Sequence, residues 1–348
     1  MSQTATFVKD NGRELPVSDD FLLPFLNPTS PGTRYWEPPP PHNTDVIRRQ
    51  DGRVMLQLHQ LVDLVRRTGT DLAGKAMLDI GTGNGMIPRL MLQYTALDHA
   101  VGIDPYLDGE HMTSWIAHDR DAFFQELVGI IDERCQGDFA FERYAELTKE
   151  QDMGLRPAPF AYEKPGPKQF RFEQIGAHDI DQLDEKFDLF YAKAIDHIPN
   201  WEGIFAAMAP VAQPDALVII KHFSFFSYLG PHRYATTNIP WGHLLLTDDE
   251  YRRFAGEFHG ERADKMVDFY FRGLAYPRTT MSQLANIARR HGFLLTASIV
   301  EPNKSLARFH SFIDRIDGFW EMVRENHPTV SVEEMFSGRC HIVFRYAG

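Results

Sequence analysis

The chain is poor in cysteine, has no long apolar run and carries a deficit of positive charge. Only Cys135 and Cys340 occur in 348 residues, too few for a disulfide framework or a cysteine-built zinc cluster. No stretch stays apolar for the roughly 20 residues that a membrane helix requires. The start Met1-Ser2-Gln3-Thr4 lacks the basic-then-apolar order of an export signal. A cytoplasmic protein without a membrane partner is expected. Lysine and arginine total 36 against 48 aspartates and glutamates, a formal net charge of −12. That balance repels a phosphate backbone unless the cations gather on one face, so nucleic acid is not expected as a substrate. What remains is a 43% hydrophobic chain, long enough to bury the core of one elaborated domain or two small ones.

Proline concentrates early, in Leu23-Pro24-Phe25-Leu26-Asn27-Pro28 and in Pro38 to Pro41. Regular helix or sheet is thereby excluded up to about residue 50, and an extended arm is expected. From Val54 to Val65 apolar residues recur at helical spacing, with Arg66, Arg67 and then Gly69 as a stop. Short β-prone runs follow at Met77–Ile80, Val101–Ile103, Phe170–Ile175, Phe187–Ala192 and Ala216–Lys221, then Phe293–Val300 and His341–Tyr346. Helical patterns over Trp201–Ala209 and Met281–Arg290 alternate with them, the signature of a parallel sheet between helical layers. About sixty residues from Tyr106 to Lys168 interrupt the alternation and read as a mostly helical insertion. The organisation is therefore an arm over 1–50 and an α/β domain over 51–348, with an insertion over 106–168 and a substrate-cap region over 223–275.

One segment carries most of the chemistry: Met77-Leu78-Asp79-Ile80-Gly81-Thr82-Gly83-Asn84-Gly85-Met86. An apolar strand ends in an acid and enters three alternate glycines, which let the backbone reverse and approach a ligand at the start of a helix. A dinucleotide fingerprint needs its third glycine where Met86 stands, so NAD is disfavoured. Val101-Gly102-Ile103-Asp104-Pro105 is a second short strand ending in a carboxylate, placed to accept hydrogen bonds from both hydroxyls of a ribose.

Together these segments resemble motif I and the acidic loop of class I S-adenosylmethionine-dependent methyltransferases. The resemblance implies a Rossmann-like three-layer α/β/α fold, with a mostly parallel seven-stranded sheet and an antiparallel last strand. S-adenosylmethionine is the implied cofactor. Gly81, Gly83 and Gly85 would make the loop, the first two leaving room for the methionine part, while Asp79 orients its ammonium and Asp104 holds the ribose. The acid after the third strand of the family contacts the adenine amino group, which selects Asp179 in Gly176-Ala177-His178-Asp179, with His178 beside it. Lys193 stands where the family borders the adenosyl group, and otherwise pairs with a substrate acid or with Asp188.

Ligands of an open α/β sheet lie beyond the carboxyl ends of its strands. After Phe187–Ala192 the chain reads Lys193-Ala194-Ile195-Asp196-His197, which resembles the acid-histidine segment of small-molecule O-methyltransferases. His197 is a candidate base for an acceptor hydroxyl, because imidazole is largely neutral at cellular pH, and Asp196 would fix its tautomer. His222, at the end of the next strand, is a second base. The following stretch is dense in rings and histidines, and His232, Arg233, Tyr234, Trp241 and His243 are assigned to an acceptor-binding wall. Asp196, His197 and His222 or His243 also offer metal-type ligands, but no compact ligand motif joins them and no metal is assigned. The expected function is methyl transfer to a hydroxyl, or less so an amine, of a small molecule or glycan unit. The rival readings are an NAD(P)-dependent oxidoreductase on the same fold and a non-catalytic, cofactor-binding regulatory protein. No motif speaks to oligomeric state.

Overall fold

A computed structural model describes residues 5–21, 46–83, 85–105, 122, 124–129, 168–193, 198–228, 230, 235–273, 278–302 and 306–348. The chain forms two compact units. One combines Met1–Pro41, Phe223–Leu284 and Val300–Arg339; the other combines His42–His222, Ala285–Ile299 and Cys340–Gly348.

The second unit is built on a seven-stranded sheet of β3 (Ala76–Ile80), β4 (His99–Ile103), β5 (Gln169–Glu173), β6 (Phe187–Ala192), β7 (Ala212–His222), β8 (Phe293–Pro302) and β9 (Ser337–Tyr346). Their spatial order is β5-β4-β3-β6-β7-β9-β8. The pairs β3–β4, β3–β6, β4–β5 and β6–β7 are parallel, and β9 runs antiparallel to β7. Rossmann-like architecture with an antiparallel last strand is thus the observed fold. The chain steps outward from β3 through β4 to β5 and then returns to β6 on the other side of β3. That reversal makes the carboxyl end of β3 a topological switch point, the position where open α/β sheets bind ligands.

Burial on both faces explains why the central strands read as continuous apolar runs. Met77, Leu78, Ala100, Val101, Leu189, Phe190, Leu217 and Val218 are all buried. Outer strand β5 instead presents Arg171, ion-paired with Glu173 at 2.7 Å and with Glu185, and charge of this kind blocks further strand pairing. Helix α1 (Val46–Arg67) ends in Arg66 and Arg67, where cations complement the dipole. It begins eight residues before the Val54 expected from periodicity. Helix α2 (Met86–Tyr94) follows the glycine loop, and Leu90, Met91 and Tyr94 join Leu61, Val65, Met77 and Leu189 in one core.

The first unit has its own aromatic core. Phe225, Phe226, Tyr228, Trp241, Tyr251, Phe254, Tyr270, Phe319 and Phe336 belong to it, together with Phe7, Leu15 and Val17 from the N-terminal segment. Those last residues correct the expectation of an arm without regular structure. Ala5–Val8 (β1) and Glu14–Val17 (β2) pair as an antiparallel hairpin, closed by Lys9 N–H to the Arg13 carbonyl at 2.8 Å and by Gly12 at φ 82°. Asn11-Gly12 between alternating apolar residues is a hairpin signal, and the prolines that argued against sheet all lie outside residues 5–15. Lys9 is buried and ion-paired to Glu250 at 2.6 Å. Glu250 also completes the capping box of Thr247 that starts helix Asp248–His259. Burial alone would raise the Glu250 carboxyl, but Lys9 and the N–H groups of Thr247 and Asp10 hold it below its ordinary value. Among the described residues no helix is long and apolar enough to cross a membrane.

Candidate active site

The loop after β3 is shaped by positive dihedrals at Gly81 (φ 69°), Gly83 (φ 55°) and Gly85 (φ 71°). The N–H groups of Gly81 and Thr82 both reach the Ile103 carbonyl at 2.9 Å, and the Gly83 N–H donates to Asp104 Oδ2 at 2.9 Å. The acid at the end of β4 therefore holds the glycine loop as well as facing its neighbourhood. The glycines differ in what their missing side chains do. A Cβ at Gly85 would lie 2.7 Å from Cζ of Phe170, so this glycine serves the packing of the loop against β5; a Cβ at Gly83 would meet no atom of the described residues within 4 Å, its chain neighbours aside. Open space at a left-handed residue is what a ligand-approach glycine leaves.

Asp79 is 4% exposed and accepts a hydrogen bond from the Thr82 hydroxyl at 2.6 Å. Burial raises its pKa to about 7; the Thr82 bond and the Lys193 charge pull it down, and Asp104 pushes it further up. An acid held near neutrality this way is poised to ionise when a cation arrives. Two residues that support this arrangement carry no obvious sequence signal. Thr82 supplies the hydroxyl, and Gly102 makes room for it, since a Cβ there would sit 2.7 Å from Thr82 Oγ1.

Lys193 follows β6 and donates to Gln57 Oε1 at 2.9 Å, while Gln57 Nε2 donates to the Tyr191 hydroxyl at 2.9 Å. The expected alternative partner, Asp188, is instead engaged by Lys75 Nζ at 2.9 Å and the Ala76 N–H at 3.0 Å. Lys221, next to the end of β7, donates to Gln60 Oε1 at 2.7 Å. Gln57 and Gln60 lie three residues apart on α1, so one helix face supports the carboxyl ends of two strands. Periodicity revealed the helix but not this polar edge.

His178 and Asp179 occupy a 3-10 turn, Ala177–Gln182. The ring Nε2 of His178 lies 2.9 Å from the Pro199 carbonyl, and Asp179 Oδ1 accepts from Gln182 Nε2 at 3.2 Å. His222 ends β7, is buried, and meets Trp201 edge to face with centroids 6.3 Å apart. Asp196, His197, His232, Arg233 and Tyr234 lie outside the described residues. Trp241 and His243 are both buried: Trp241 Nε1 donates to the Met335 carbonyl at 3.3 Å, and His243 Nε2 lies 2.9 Å from the Phe225 carbonyl. Burial, with His327 and Arg278 nearby, drops the His243 pKa to about 3.

The sequence pattern of the family described as Methyltransferase domain matches residues 53–298. The chain belongs to that family, the class I S-adenosylmethionine-dependent methyltransferases. S-adenosylmethionine is the cofactor of this methyltransferase. Among solved structures, the cyclopropane synthase MmaA2 from Mycobacterium tuberculosis is similar at 13% identity and TM-score 0.41, over 94% of this chain and 94% of that one. Magnesium protoporphyrin IX methyltransferase from Synechocystis, determined with bound SAH, is similar at 13% identity and TM-score 0.41, over 90% and 91%. No curated protein matches the methyltransferase.

Proposed function

We propose that this methyltransferase acts on a hydroxyl oxygen of a small molecule. The observation that carries the cofactor half of the reading is the open face of Gly83 between two buried acids, Asp79 and Asp104. These residues fit the group: Asp104 would hold the ribose hydroxyls, Asp79 the ammonium, Asp179 the adenine amino group, with His178 and Lys193 at the border. When bound, S-adenosylmethionine supplies a methyl group on a positively charged sulfur, activated for in-line displacement by a nucleophile. The chain contributes position, exclusion of water and a proton acceptor.

For the acceptor half, His222 supports the reading. It stands at the carboxyl end of β7, the side of the sheet where ligands lie, with its ring fixed by Trp201. His222 would take the hydroxyl proton as the oxygen attacks, and His197 with Asp196 is the second base to be tested. The test is mass spectrometry of a cell extract incubated with the protein and isotopically labelled cofactor, which should show one labelled methyl on an oxygen of a small molecule. His222→Ala should lower turnover about a hundredfold while S-adenosylhomocysteine affinity is kept. Label on nitrogen or carbon, or full turnover in both His222→Ala and His197→Ala, removes the hydroxyl reading.

A further inference from the structure

Strand β8 is the outermost strand of the sheet among the described residues, and over Phe293–Val300 it lacks the charge that the opposite outer strand carries; its charge and proline come only at the end, in Glu301-Pro302. β5 has five residues and carries Arg171 and Glu173; β8 has ten, and Phe293 to Val300 include no charged residue. Leu294 and Leu295 are 45% and 47% exposed, among the largest apolar exposures of the described residues. A groove of about 300 Å³ on the same strand is lined by Ala297 and Ile299 with Leu64 and Val343, and by Arg67 and Arg345 at its polar side. Long, uncharged, apolar outer strands are templates for pairing with another strand, and proteins ordinarily blunt them with charge, proline or cover.

The sequence of β8 says which strand fits. Directly opposed residues of an antiparallel pair share a face. If β8 pairs with itself about Ala297, Leu294 comes opposite Val300, Leu295 opposite Ile299, and Thr296 opposite Ser298. Each of these three cross-strand pairs is then apolar with apolar or hydroxyl with hydroxyl, with a small residue at the two-fold axis, and only at the strand ends does a mixed pair arise, Phe293 opposite Glu301. The polarity of Leu294-Leu295-Thr296-Ala297-Ser298-Ile299-Val300 is symmetric about its centre, and a two-fold axis demands that of an isologous interface. Leu295 of one copy also arrives next to the groove lined by Ile299 of the other.

We propose that β8 is a self-association surface: two copies join antiparallel through β8, centred on Ala297, into one continuous sheet. The full chain should sediment at twice its 40.0 kDa at micromolar concentration. Leu295→Lys, an exposed position in the single chain, should raise the dimer dissociation constant at least about a hundredfold by burying an unpaired charge, with circular dichroism and S-adenosylhomocysteine affinity unchanged. The register has its own test. Opposed Cα atoms in an antiparallel pair lie about 4.5–5.5 Å apart, within disulfide range, so Ala297→Cys in a Cys135→Ser background should cross-link under mild oxidation, whereas Leu294→Cys should not. A monomer at all concentrations overturns the proposal, as does a dimer indifferent to Leu295→Lys. A dimer that Leu295→Lys dissociates, but that Ala297→Cys fails to link, overturns the register.

Discussion

The glycine loop after β3 and the aromatic stretch from Phe225 to His243 look equally functional in sequence, yet they are built in opposite ways. In the loop, left-handed Gly83 faces open space and Asp79 is buried with its pKa lifted to about 7. In the aromatic stretch two ring nitrogens are tied to backbone, Trp241 Nε1 to the Met335 carbonyl and His243 Nε2 to the Phe225 carbonyl, while Ser227 Oγ and Asn238 Oδ1 are buried without a hydrogen-bond partner among the described residues. The first region holds a buried acid beside a glycine with room at its Cβ position. In the second, the rings of Trp241 and His243 are buried and each is tied to a backbone carbonyl. Sequence density of rings and histidines does not distinguish these two constructions; the partners of their polar atoms do.

The largest effect that would break this contrast lies in the aromatic unit. Trp241→Ala should cost about 3–5 kcal/mol of stability, the range for truncating a buried indole, while the folded fraction keeps its S-adenosylhomocysteine affinity by calorimetry. Loss of affinity without loss of stability would return Trp241 to a binding role. Next come the glycines. Gly85→Ala adds a crowded Cβ to a left-handed residue and should cost about 2–5 kcal/mol, partly relieved by Phe170→Leu. Gly83→Ala should cost only about 1–2 kcal/mol for its dihedral but weaken ligand binding about tenfold, so melting temperature and affinity should rank the two variants in opposite orders.

Smallest, and sharpest in sign, is the pH dependence. His243 and His327 are lowered by burial to about 3 and about 4. The unfolded chain then binds more protons below its ordinary histidine pKa near 6.5, so their contribution to stability is full above that pH and is lost as pH falls toward 4. Asp79 has the opposite sign. Its raised pKa means that the folded chain holds the extra proton between about 4 and 7, so its contribution to stability declines as pH rises through that window. The ammonium-bearing ligand reverses the balance by favouring the ionised acid, and affinity should climb as pH rises to about 7. Asp79→Asn should flatten that climb, and His243→Gln should flatten the acid-side loss of stability without touching affinity.

These contrasts follow what a linear sequence can convey. Strand order, the glycine loop and Asp104 were legible because their requirements are local: a positive dihedral, an apolar run, an acid at a strand end. The capping box at Thr247 and Glu250 was legible for the same reason. What satisfies Trp241 and His243 lies 94 and 18 residues away, so no window around them shows that they are core. Gln57 and Gln60 look like an ordinary polar helix face until β6 and β7 arrive above them. The N-terminal hairpin is a different case: Asn11-Gly12 carries a local hairpin signal, and the prolines that argue against regular structure further along, Pro24, Pro28 and Pro38 to Pro41, do not reach it.

The most direct test is calorimetric titration of S-adenosylhomocysteine into the wild-type protein and into Asp104→Ala. The carboxylate at the end of β4 both fixes Gly83 and meets the ribose in this account. Its removal should weaken binding at least about a hundredfold, the loss of two charge-assisted hydrogen bonds, with the aromatic unit still folded. Unchanged affinity in Asp104→Ala would contradict the assignment of the β3 loop and the β4 acid as the cofactor site.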